Sequence, residues 1–269
     1  MEQDIKIGII GGSGIYNLEG MKEIKRISFN TKQGKPSDKI IIGKYANKMV
    51  AFLPRHGFNH SIPPHEIPYE ANIAAFKKIG VSCIISTSMC GSINLKIKPG
   101  DLVFPDQFIN FTHSRKEFSK NIDGIIHIPM ASPYCSELNK IFYKYAKSMK
   151  MSAHRKKTVV VIQGPRYSTK AESKWFSFQG WDIINMTQYP ECYFARRMKI
   201  HYGTIGLITD YDAGLNGKLK WTDRDAKKIM TIFNNNVKKA NSLIFQVIKN
   251  FPDKFICDCC EYLTKSYYK

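Results

Sequence analysis

The segment Thr158-Val159-Val160-Val161-Ile162 constrains this chain most. A nearly unbroken run of β-branched residues reads as a strand covered on both faces, the setting of a sheet held between two helical layers. The rest of the chain alternates in the same sense. Ile5–Ile10 is a first strand that runs into Gly11-Gly12-Ser13-Gly14. Lys39–Ile42 and Lys48–Leu53 read as a hairpin about Gly43–Asn47, and Val81–Ser86, Leu102–Pro105, Ile183–Ile184 and Tyr202–Ile208 as further strands. Helical spacing marks Tyr69–Ile79, Ser136–Lys150, Ala171–Gln179, Pro190–Met198 and Asp223–Lys249, with Gly80 after the first and Pro252 after the last. This predicts one α/β domain over residues 1–269, a three-layer αβα arrangement with a central mixed sheet, and a cysteine-containing tail over 251–269.

Composition narrows the function classes. No apolar run approaches the ~18–20 residues of a membrane helix. The start, Met1-Glu2-Gln3-Asp4, is acidic rather than basic, so secretion is not expected. Seven cysteines without a secretory signal point to reduced thiols and a cytoplasmic chain. The net charge of +19 raises nucleic-acid binding. Lysine is spread along the whole chain, however, and the densest basic run, His154-Arg155-Lys156-Lys157, lacks interleaved aromatics, so compositional bias is the preferred reading.

Several motifs carry chemistry. Gly11-Gly12-Ser13-Gly14 lacks the third glycine of a dinucleotide fingerprint, where Asn17 stands, and no acid follows at the required distance. No Gly-Lys-Ser/Thr follows either, which leaves a small nest for one phosphate, with Ser13 adding a hydroxyl. Arg55-His56-Gly57 closes a strand; its guanidinium fork suits phosphate and His56 adds a donor, although for this motif alone a solvated surface loop is the better reading. In Gln163–Thr169, Tyr167 could stack on a flat base and Ser168 could cap the next helix. Thr187, at a helix start, suits an anion, and Glu191 could take a ribose hydroxyl or simply favour that helix. Thr209-Asp210-Tyr211-Asp212 sets two acids at a strand's carboxyl end, where such sheets bind ligands; a solvated turn is the bland alternative.

Taken in order, these motifs, with Pro99-Gly100-Asp101, Asp106-Gln107, Gly164–Ser173, Asn185-Met186-Thr187 and Pro190-Glu191, resemble the trimeric purine nucleoside phosphorylase family, and within it the methylthioadenosine phosphorylases. The likeness runs from about Ile5 to Ile248. It implies a phosphorylase/hydrolase-like fold, a cytoplasmic homotrimer, and phosphorolysis of a purine nucleoside with inorganic phosphate as co-substrate and no cofactor or metal. It places Ser13, Arg55, His56, Ser88, Met89 and Thr187 at phosphate, and Met186 at the ribose. Tyr167 falls on the purine, Asp210 and Asp212 grip and protonate the base, and His60 and His127 line the sugar's 5' end.

The acid at 210 predicts a 6-aminopurine, since relatives acting on 6-oxopurines resemble this site with Asn there, able to donate to O6. No His lies between Ala213 and Phe233, where relatives that bind a 5'-hydroxyl tend to supply one, which favours a methylthio group. The alternatives are a 6-oxopurine nucleoside or methylthioinosine phosphorylase and a non-catalytic nucleotide- or nucleic-acid-binding protein. Met89 stands where the family has a small residue, and Arg197 where it has an acid. Cys257-x-Cys259-Cys260 resembles a C-terminal cluster of some thermophile relatives, which suggests a disulfide role; free thiols on a tail are the equal alternative. Metal binding needs four well-placed ligands, and the tail offers three cysteines.

Overall fold

The computed structural model describes residues 5–16, 18–117, 127–215, 217 and 223–261. The strands are β1 (Ile7–Gly11), β2 (Lys22–Ile27), β3 (Ile40–Tyr45), β4 (Lys48–Pro54), β5 (Cys83–Ser92), β6 (Leu102–Phe104), β7 (Gln107–Phe111), β8 (Ala153–Arg155), β9 (Thr158–Ile162), β10 (Ile183–Asn185) and β11 (His201–Tyr211). The helices are α1 (Tyr69–Lys78), α2 (Ser136–Ser148), α3 (Lys170–Phe178), α4 (Gln188–Arg197) and α5 (Asp223–Lys249).

One eleven-stranded mixed sheet results, in the order β2-β3-β4-β1-β5-β10-β9-β7, with β11 on β5, β6 on β11 and β8 on β6. Successive strand residues point to opposite faces, and this splits the core in two. Ile10, Ile42, Leu53 and Ile84 pack with Ile73 and Phe76 of α1 and Cys192 and Ala195 of α4. Ile9, Ile41, Phe52 and Ile85 pack with Leu138 and Phe142 of α2 and Leu243, Ile244 and Val247 of α5. The three layers expected from the alternation are therefore present. No described helix is long and apolar enough to cross a membrane.

β5 decides where the site forms. Cys83–Ser86 pairs with β1 on one side, while Gly91 and Ser92 pair with β10 in the antiparallel sense. Between them Thr87–Cys90 is paired only with β11. The sheet opens there, and the carboxyl ends of β1 and β4 meet that of β10, which runs the other way. An opening lined by backbone must be filled by polar side chains or ligand, because buried peptide groups need partners.

Some boundaries differ from expectation. β2, β7 and β8 are not among the strands expected from the sequence. β2, Lys-Glu-Ile-Lys-Arg-Ile, is an exposed strand whose main support is its ladder to β3. The segment after Phe251 is not a loose tail throughout. Phe251 is buried, and Phe255, Cys257 and Cys259 pack on the α2/α5 side of the core.

Candidate active site

The glycine turn is held from beneath. Gly12 N–H donates to Thr87 Oγ1 at 2.9 Å. A side chain on Gly12 would meet Thr87 O at 2.6 Å and Arg55 Nη1 at 2.9 Å, so only glycine lets the guanidinium lie against the turn. Gly14, at φ +82, packs on Phe233 and Val237 of α5, and Asn236 Nδ2 of the same helix donates to Ile208 O at 2.8 Å. One helix thus braces the turn and the end of β11 together.

Arg55 is 1 % exposed and Glu191 fully buried. Nε donates to Glu191 Oε2 at 2.6 Å and Nη2 to Oε1 at 2.8 Å. Nη2 also donates to Ser86 Oγ at 2.6 Å, and Nη1 to Thr87 O at 2.8 Å. Those bonds use four of the five guanidinium N–H groups. The remaining one is on Nη1, against Gly12. The fork expected to grip phosphate from both prongs is therefore spent on Glu191, and Arg55 has a single N–H to offer. Glu191, in turn, does not reach for a ribose. It accepts from Arg55, from Ser86 Oγ at 3.0 Å and from Tyr202 Oη at 2.6 Å. Its task is to fix the cation; spacing could not show this, because the pair is joined across the sheet.

His56 is also buried, and burial followed by the neighbouring Arg55 cation depresses its pKa to about 4. Its Nδ1 lies 2.8 Å from Ile62 O, and a carbonyl only accepts. Neutral His56 consequently carries its proton on Nδ1, and Nε2 is an acceptor, not the donor expected from the sequence. The His60 ring lies tilted against it, 4.6 Å between ring centroids, and its Nδ1 lies 3.0 Å from the Tyr16 hydroxyl. Tyr16, which the sequence reading passed over, follows the glycine turn and brings His60 to it.

Across the opening, Ser88 Oγ accepts from Asn185 Nδ2 at 3.0 Å and lies 3.3 Å from Thr187 Oγ1. Thr187 is the residue preceding α4, so its backbone sits at a helix start as expected. Met89 packs its side chain on the α2/α5 core rather than into the opening, so its size leaves the site unaltered. Met186 lies over Gly164, where an added side chain would meet its Sδ at 2.6 Å.

The acid pair stands at the carboxyl end of β11, where Asp210 and Tyr211 pair with Gly91 and Ser92 of β5. A register shift between Ile208 and Asp210 turns the strand, and Thr209 Oγ1 lies 2.6 Å from Asp210 Oδ1. Burial raises the Asp210 carboxyl to about 6, against the Thr209 hydrogen bond and with help from the Asp212 charge. Asp212 is raised as well, first by burial, with the Ser168 and Ser173 hydroxyls opposing. Ser173 Oγ donates to Asp212 O at 3.2 Å. Ser168 is thus turned toward the acid and does not cap α3. Thr169 does, with Glu172, in a reciprocal capping box.

Two predicted residues stand apart. Tyr167 is 80 % exposed. His127 lines a groove with Phe108, Asn110, Glu117, Tyr189 and Tyr193, none of them another predicted site residue.

A single-anion nest beside two carboxylates held toward their protonated form is a site for moving a group onto phosphate. The chain matches the phosphorylase superfamily over residues 6–249. It belongs to that superfamily. Among its relatives, the S-methyl-5'-thioadenosine phosphorylase of Nitrosopumilus maritimus is 40% identical over 268 residues, 99% of each chain. That of Saccharolobus solfataricus is 42% identical over 269 residues, 98% of each. Among solved structures, methylthioadenosine phosphorylase from Schistosoma mansoni in complex with adenine superimposes with a TM-score of 0.88 at 29% identity, covering 98% of this chain and 99% of that one. A mutant of the Schistosoma enzyme in complex with methylthioadenosine gives 0.87 at 30% identity, covering 97% and 96%.

Proposed function

We infer that this enzyme catalyses phosphorolysis of S-methyl-5'-thioadenosine to adenine and 5-methylthioribose 1-phosphate. The observation that carries the reading is that β5 serves both sets of groups: its Thr87 and Ser88 hold the glycine turn, Arg55 and Thr187, and its Gly91 pairs with Asp210, whose carboxyl is raised to about 6. Relatives named for this activity at about 40% identity over nearly the whole chain support it.

Breaking the glycosidic bond builds positive charge on the sugar and negative charge on the purine. A phosphate set beside C1' stabilises the first and then attacks it. The Gly12–Gly14 turn, Ser13, the one uncommitted Arg55 N–H, Ser88 and Thr187 position that anion. Hydrogen phosphate carries its own O–H, and the acceptor nitrogen of His56 suits it. The leaving base takes a proton at N7 from Asp210, whose carboxyl is held near neutrality by burial. Asp212 accepts from the 6-amino group, and Met186 covers the ribose. Phosphate is a co-substrate, with no cofactor or metal in the reaction. The working unit is a homotrimer in the cytoplasm, a reading supported by the family resemblance and by the half-exposed Trp175 and exposed Phe178 on α3.

Adenine release from methylthioadenosine, measured with and without phosphate, tests the reaction. Release independent of phosphate contradicts it. A 6-oxopurine substrate keeps one observation in its favour, because a protonated Asp210 could donate to O6 as an amide does. Comparing methylthioadenosine, adenosine, methylthioinosine and inosine separates the two, and a preference for inosine overturns the 6-amino assignment.

A further inference from the structure

A second cluster of reactive side chains lies at the other end of β11. His201 opens that strand and Asp210 stands next to its last residue, about 30 Å away at ~3.3 Å per residue. Around His201 gather Cys135, the residue preceding α2, and Cys257 and Cys259 from the C-terminal segment. One donor atom from each of the four lies within 4.8 Å of all the others.

We propose that Cys135, His201, Cys257 and Cys259 form a structural zinc site that fastens the C-terminal segment to the amino ends of β11 and α2. Three thiolates and one imidazole are a soft, tetrahedral donor set of the closed structural kind. With zinc–sulfur bonds of about 2.3 Å, tetrahedral edges are about 3.8 Å between sulfurs and about 3.5 Å between sulfur and nitrogen. Cys135 Sγ stands 3.5 Å from Cys257 Sγ, and His201 Nδ1 stands 3.0 Å from Cys259 Sγ. The donors therefore need shifts of only a few tenths of an ångström on those edges.

The surroundings hold the donors in place. Cys135 N–H donates to Tyr202 O at 2.8 Å, which locks Cys135 beside His201. Phe255 packs edge-on against the His201 ring and stacks on Phe251. Cys259 N–H points at Cys257 Sγ at 3.5 Å, the support a metal-bound thiolate receives from backbone. The segment also needs a fastening. Among its described residues only Phe251 is buried, and its ion pair to Lys48 is made by an Asp253 that is 99% exposed, which contributes little. Binding Zn²⁺ releases three thiol protons to solvent and leaves a site of net charge −1, in a chain of charge +19. Cys260, 3.6 Å from His201 Nδ1 and 3.8 Å from Cys259 Sγ, stands next to the set as a spare thiol.

The test uses the full chain purified in reductant without chelator. Elemental analysis should find about one zinc per chain. Replacement by Co²⁺ should give a near-ultraviolet sulfur-to-cobalt charge-transfer band and the intense visible absorption of a tetrahedral site. Cys257→Ser and His201→Ala should weaken metal retention at least ~100-fold, Cys260→Ser should leave it unchanged, and chelation should lower Tm while leaving phosphorolysis intact below the transition. A reduced chain that purifies without zinc and gives no cobalt spectrum on titration overturns the site. So does a cobalt spectrum that survives Cys257→Ser and His201→Ala, and loss in Cys260→Ser with retention in Cys259→Ser overturns the ligand set. Cobalt titration of the unaltered chain decides the matter alone if a variant fails to fold.

Discussion

Asp210 concentrates the chemistry in one side chain. A carboxyl at about 6 is half protonated at that pH, whereas an ordinary aspartate is ionised above about 4. The free enzyme should lose its proton donor as pH rises through about 6, so kcat/KM for methylthioadenosine should show a limb there that is absent from Asp210→Asn. The same shift bears on stability. The folded state holds a proton that the unfolded chain releases, so this residue's contribution falls as pH rises from about 4 to about 6 and is constant above. Asp210→Asn should cost ~10²-fold or more in kcat/KM on methylthioadenosine and much less on methylthioinosine, because an amide can still serve O6. Equal losses on the two substrates contradict the role. Glu191 carries a different kind of weight. Glu191→Gln leaves Arg55 buried with its charge uncompensated, and should lower stability by about 3–5 kcal/mol in urea unfolding. A cost below about 1 kcal/mol would mean that the pair is not buried in solution.

At the level of elements, function follows from a break in sheet pairing. β5 changes partners from β1 to β10, and the residues between, Thr87–Cys90, are left for ligand and polar side chains. The glycine turn is positioned by α5 as much as by β1. Gly14→Ala places a Cβ 2.6 Å from Phe233 on a backbone at φ +82. It should cost about 2–4 kcal/mol and raise KM for phosphate more than KM for the nucleoside. An unchanged phosphate KM would separate α5 from the phosphate site. Elements were legible in the sequence in proportion to their apolar patterning. β9 is a run of Val and Ile buried on both faces, and it was read to the residue. β2 presents five exposed residues of its six and has no such signal. α3 begins at Lys170, one residue ahead of the expected Ala171, directly after Thr169, which holds the capping box.

For the molecule as a whole, the charge of +19 is not gathered into the site. Arg55, the cation against the glycine turn, is neutralised by Glu191. Weak retention on polyanions should therefore vanish with added salt while phosphorolysis persists. Sedimentation should give a mass near three chains; a monomer at assay concentration with full activity would contradict the trimer. By itself the sequence determined the layered α/β fold and the family, and it named candidate groups for phosphate and base, since these rest on local periodicity and on short ordered motifs. Only the tertiary structure decided what those groups do to one another. Arg55 meets Glu191, and His56 spends its proton on Ile62 O. Burial lifts Asp210, and Cys135 and His201 join two cysteines of the tail. Each is a contact between residues far apart in the chain, or a loss of water around one of them, and neither is written in spacing.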